Sequence, residues 1–157
     1  MKALATRAGF VAAAMVAAAS AGMWIGQVAP LGAQGKTSVW DGAYSEAQAA
    51  RGKDEYEYNC GNCHIHDLSG DSIKDVPALA GPDFMAKWAG KSVKELLDYM
   101  ATNMPQDSRG TLGAKTYADI AAYVLKVNTF PAGAEALADS PRLASTIVER
   151  EKGEKSK

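Results

Sequence analysis

The only two cysteines of this chain stand in one five-residue run, Cys60-Gly61-Asn62-Cys63-His64. That run limits what the surrounding chain can fold into more than any other feature does. Two thiols and an imidazole at this spacing serve as a disulfide, as a redox-active pair, as metal ligands, or as a covalent tether for a large prosthetic group. A redox-active C-x-x-C normally follows a strand in a βαβ unit, and nothing here alternates like a strand. A zinc ion would need Cys60, Cys63, His64 and His66 to surround it tetrahedrally, which so short a span does not easily allow.

The neighbouring sequence is helical. Ser45 and Gln48 have capping-box spacing for a helix through about Asn59, with Ala49, Gly52 and Tyr56 on one face. Ser92 and Glu95 repeat the signature before Val93, Leu96, Leu97 and Met100, a run ended near Asn103 by Pro105. A third run starts at Thr116, with Asp119 placed to answer a capping threonine, and carries Tyr117, Ile120, Ala121, Tyr123, Val124 and Val127 to Asn128. Between them lie long loops, Cys60 to Trp88 and Met104 to Lys115. Three helices offer a thin core, and loops of that length usually wrap something or have a function.

A haem answers both points. In C-x-x-C-H the two thiols add across the vinyl groups of the porphyrin and the next histidine ligates iron. The two intervening residues let one backbone turn set both sulfurs at adjacent porphyrin edges.

Residues 1–33 read as an export signal. Lys2 and Arg7 precede a stretch from Ala8 to Gly35 without a charged side chain, and small residues at Ala19-Ser20-Ala21 and at Leu31-Gly32-Ala33 before Gln34 suit cleavage, after Ala33 rather than Ala21. The alternative is an uncleaved membrane anchor, since the uncharged run exceeds the ~20 residues that span a bilayer; its Ala, Gly, Ser and Gln suit lipid poorly. Either way the expected location is periplasmic, free or tethered to the inner membrane. Residues 34–44 form a lead-in, 45–131 the domain, and 132–157 an Ala-rich and then charged, partly disordered tail. A net charge of −1 gives no reason to expect nucleic acid as a partner.

From about Trp40 to Phe130 the chain resembles a bacterial, exported mono-haem class I c-type cytochrome. The resemblance rests on Gly52 and Tyr56 ahead of CGNCH, on VPALAGPDF, on Met104-Pro105, and on YADIAAYV in the last helix. It implies an all-α fold of three to five helices with long loops around one covalent haem c, and close packing of Gly52 and Tyr56 against Ile120 and Tyr123. It also implies that the Pro77 carbonyl accepts the N–H of the proximal histidine. Trp88 resembles a donor to a haem propionate, with core packing as its alternative.

The expected haem-binding residues are therefore Cys60, Cys63, His64 and Met104, with His64 and Met104 on the iron. Six methionines exist, three of them (Met1, Met15, Met23) in the export segment. Met100 has core spacing after Leu96 and Leu97, and Met85 lacks a neighbouring proline. Met104 precedes Pro105, which restricts its backbone, and matches the Met-Pro pair of the resembled family. His66, two residues after His64, would have to cross the haem plane to bind the other face.

Imidazole and thioether together leave iron no vacant position, so the expected role is one-electron transfer between redox-protein donors and acceptors, by a monomer or by a subunit of a dehydrogenase complex. Two alternatives remain: a haem c subunit relaying electrons from an exported, quinoprotein-type dehydrogenase, and an open-site haem enzyme or gas sensor if Met104 does not bind.

Overall fold

A computed structural model describes residues 37–138 and 141–153. The stretch expected to direct export, with the expected cleavage points after Ala21 and Ala33, lies outside the described residues. The class is all-α: α1 (Glu46–Asn59), the single turn α2 (Gly61–His64), α3 (Gly81–Trp88), α4 (Val93–Asn103), α5 (Ala114–Val127) and the short α6 (Pro141–Ser145). β1 (Thr37–Ser38) and β2 (Thr146–Ile147) add one short parallel ladder. Among the described residues no helix is long and apolar enough to cross a membrane.

α1 begins where Ser45 accepts a hydrogen bond from the Gln48 amide at 3.4 Å. The expected reciprocal half of that box is not made. Gln48 is buried and spans instead to Leu137, donating to its carbonyl at 2.7 Å and accepting from its amide at 2.6 Å. A buried amide needs both its donor and its acceptor met, and the Leu137 backbone meets both. At Ser92 the box is complete, with Ser92 N–H to Glu95 at 2.7 Å and Glu95 N–H to the Ser92 hydroxyl at 3.2 Å. α4 buries Val93 and Leu96.

α5 corrects the sequence expectation at its start. It opens at Ala114 with Gly113 as N-cap, so Asp119 lies within the helix and caps nothing. Its carboxylate, 2% exposed, takes two 3.0 Å hydrogen bonds from the Arg51 guanidinium and one of 2.6 Å from Lys115. Charge-assisted, bidentate bonds of this kind are stronger than a neutral cap. α1 crosses α5 here, and only glycine fits at position 52: a β-carbon there would lie 1.7 Å from the Asp119 carbonyl oxygen and 3.1 Å from Tyr123 Cβ. Tyr56 meets the Tyr123 ring at 5.5 Å, as the resemblance implies.

Two helices occupy the stretch read as a loop between Cys60 and Trp88. α3 carries Pro82 in its first turn, where a missing N–H costs nothing, and buries Phe84 and Trp88 four residues apart.

The packed unit also runs past residue 131. Leu137, Leu143, Ile147 and Val148 are buried. Tyr44 donates to the Phe130 carbonyl at 2.6 Å and Trp40 to that of Glu149 at 3.0 Å. Gly90 and Lys91 exchange backbone hydrogen bonds with Val148. The lead-in and the Ala-rich segment thus close over the start of α1 and the turn before α4.

Candidate haem site

Cys60 ends α1 and begins α2. Its N–H bonds the Tyr56 carbonyl at 2.8 Å, while its own carbonyl accepts from Cys63 at 3.1 Å and His64 at 2.9 Å. Cys60, Cys63 and His64 therefore share one turn. The thiols are not joined to each other; Cys60 is half-buried and Cys63 exposed. Burial, with the neighbouring Cys63 adding to it, pushes the Cys60 thiol up to about 11. A redox-active C-x-x-C works through a thiol whose pKa is lowered, so Cys60 has the opposite electrostatic setting.

His64 is buried, 7% exposed. Its Nδ1 lies 2.9 Å from the Pro77 carbonyl oxygen, an acceptor, so that nitrogen carries the proton and the lone pair falls to Nε2. Burial lowers the pKa of the ring, the Pro77 hydrogen bond opposes this, and the positive charge of Lys87 lowers it further. A neutral imidazole with a fixed tautomer is the form that ligates a metal.

The loop after His64 is built to deliver Pro77. The Gly70 N–H bonds the His64 carbonyl at 3.0 Å, and Asp71 and Val76 exchange two 2.9 Å backbone bonds around a tight turn. Gly70 has φ +70°, and a β-carbon on it would stand 2.5 Å from the Val76 carbonyl oxygen, so the close return of the chain requires glycine. Leu68 is fully buried beneath this loop and accepts at its carbonyl from Leu79 N–H at 2.8 Å.

Met104 caps α4, half-buried, with extended backbone and its N–H on the Met100 carbonyl. Its own carbonyl accepts from the Tyr117 hydroxyl at 2.7 Å. Met100 and Met85 are partly buried and pack against the apolar core, Met100 as its spacing predicts. His66 is exposed and turns Nδ1 to Glu57. Among the described residues no group of three or more His, Cys, Asp or Glu side chains is arranged for a metal ion, so the four-ligand zinc arrangement is not formed. Trp88 packs in the core: it is 5% exposed and meets Tyr99 edge-on at 5.4 Å, with Lys87 Nζ 3.7 Å above the Tyr99 ring.

Sequence reasoning missed three supports. Tyr117 holds Met104. Tyr56 donates to the Ile65 carbonyl at 2.7 Å, tying α1 to the turn that follows His64. Asn128 binds the Leu79 carbonyl and the Gly81 N–H, each at 2.9 Å, and so fixes the chain just past Pro77 to the end of α5.

Residues 47–124, from α1 into α5, match the family model described as cytochrome C oxidase, cbb3-type, subunit III. The crystal structure of the sulfane dehydrogenase SoxCD from Paracoccus pantotrophus is similar at 23% identity and a TM-score of 0.45, covering 61% of this chain and 52% of that one. This chain therefore spans about half the length of its match. No curated protein matches. The matched segment contains CGNCH, Pro77 and Met104, and it is a cytochrome c domain, the helical haem-binding unit of electron-transfer proteins. The sequence given holds one C-x-x-C-H motif.

Proposed function

We propose that this chain is an exported one-electron carrier in which Cys60 and Cys63 hold a single haem c by thioethers and His64 Nε2 and Met104 Sδ ligate its iron. The observation that carries the reading is the 2.9 Å approach of His64 Nδ1 to the Pro77 carbonyl, within a C-x-x-C-H turn whose thiols remain unpaired. When bound, the haem supplies a ferric–ferrous couple.

The protein's own residues do the rest. Pro77 fixes the imidazole tautomer and raises its basicity as a ligand. The apolar packing of Leu68, Phe84 and Leu96 excludes water from the interior. Rigid loops tied to α1 and α5 by Tyr56, Asn128 and Tyr117 limit how far the ligands move with a change of charge. The imidazole of His64 and the thioether of Met104 would together fill the ligand set and favour the ferrous state, which suits electron transfer rather than substrate binding at iron. The uncharged stretch from Ala8 to Gly35 supports a periplasmic location for the carrier, with redox proteins as donor and acceptor.

Acid–acetone extraction tests the attachment: haem is expected to stay with the polypeptide, and to leave it in a Cys60→Ser, Cys63→Ser variant. Haem released from the unaltered chain, or a disulfide between the two cysteines, overturns the reading. Intact mass of protein made in its own host tests export, with loss of Met1 to Ala33 expected.

A further inference from the structure

We propose that Tyr117 is the positioning residue for the distal ligand, its hydroxyl pinning the Met104 carbonyl to α5 so that the thioether is held at one place. This rests on the reading of Met104 as that ligand.

Met104 is the first residue outside α4, with φ −127° and ψ 149°. Its N–H still bonds back to Met100 at 2.9 Å, but its carbonyl has left the helix. The next residue, Pro105, has no N–H to offer. Residues 106–111 are exposed, and among the described residues their hydrogen bonds turn back into the loop itself: Ser108 N–H to Pro105, the Ser108 hydroxyl to Asp107, Thr111 N–H to Ser108, and the Thr111 hydroxyl to Ser108. The Tyr117 hydroxyl at 2.7 Å is the bond that ties this stretch to another helix. Tyr117 itself is 4% exposed and sits in the first turn of α5, with its N–H on Gly113. Met104 is therefore held on both sides of its α-carbon, by α4 at the N–H and by α5 at the carbonyl.

Methionine has three rotatable bonds and a soft sulfur, so its side chain does not by itself define where the sulfur rests. The backbone must do so. If the loop loosens, the state with the thioether off is more populated, and an external ligand competes better by the factor by which that state grows. Phenylalanine at 117 would keep the buried ring and remove only the bond.

The test is an imidazole titration of the ferric holoprotein, read through the sulfur-to-iron charge-transfer band. Tyr117→Phe is expected to keep the band without imidazole and to lose it at an imidazole concentration about three- to tenfold lower than the unaltered protein, the ratio set by one hydrogen bond of ordinary net strength. Tyr44→Phe removes another buried hydroxyl, the one 2.6 Å from the Phe130 carbonyl, and is expected to leave the midpoint unchanged. An unchanged midpoint in Tyr117→Phe, or an equal shift in Tyr44→Phe, overturns the positioning role alone. A band that survives Met104→Ala overturns the ligand assignment and the positioning role together.

Discussion

The backbone of Gly52 meets that of Asp119 so closely that a β-carbon at residue 52 would stand 1.7 Å from the Asp119 carbonyl oxygen. The obstacle is backbone rather than a movable side chain, so the two helices must separate to admit any substituent. That crossing carries Tyr56 against Tyr123, and Tyr56 in turn holds the Ile65 carbonyl next to His64. The geometry of the proximal turn thus depends on a glycine several residues upstream.

Gly52→Ala follows directly. In an unpacked helix the change would gain about 1 kcal/mol of propensity. Here overpacking at the crossing outweighs that gain, and a net loss of about 1 to 3 kcal/mol is expected. Urea denaturation followed by far-UV circular dichroism measures it; a variant as stable as the parent would show that α1 and α5 separate freely.

Asp119 gives the fold an acid-sensitive lock. Burial by itself would raise its pKa, but hydrogen bonds from Arg51 and Lys115, together with the Arg51 charge, hold the carboxyl below its ordinary value. A carboxyl with a lowered folded pKa contributes stability that is fully present above the unfolded value of about 4 and is lost as pH falls through the folded value. Stability is therefore expected to decline below pH ~4. Asp119→Asn should be less stable at neutral pH and should show a flatter acid limb. Thermal unfolding at a series of pH values reads both, and an acid limb of unchanged slope in the variant would assign the lock to other carboxylates.

These details divide by range. The ends of α1 and α4 were legible because their signals are local: Ser45 and Ser92 at the caps, Pro105 beyond the stop. The closeness of Cys60, Cys63 and His64 was legible for the same reason, since they fall within one turn. α3 was hidden because two turns with one buried pair, Phe84 and Trp88, leave too short a periodicity among glycines and prolines. Asp119 misled because a carboxylate three residues after a threonine looks like a cap until Arg51, distant in sequence, takes it. The buried Leu137, Leu143 and Val148 are spaced without a helical period in an Ala-rich stretch, so their packing on the domain left no pattern to read. Tyr117 was counted as an apolar position of α5, and its hydroxyl finds Met104 only once the loop has closed.

Met100 and Met104 stand in different settings at the end of α4. Met100 lies within the helix, partly buried and packed against the apolar cluster, whereas Met104 lies just past it with its backbone held at both ends. Met104→Ala is expected to abolish the charge-transfer band, to lower the potential by roughly 0.1 V or more within the wide range that axial ligands set, and to open ferrous iron to carbon monoxide. The protein should remain folded, because the helix keeps its Ser92–Glu95 cap and its buried Val93 and Leu96. Met100→Ala should show the converse. The side chain is only partly buried, so its loss is expected to cost less than a fully enclosed methionine, about 1 to 2 kcal/mol, with band and potential kept. Spectra, redox titration and denaturation of the two variants together decide the assignment: a band lost in Met100→Ala and kept in Met104→Ala would place the ligand within α4 and leave the 2.7 Å bond from Tyr117 as a brace for the loop alone.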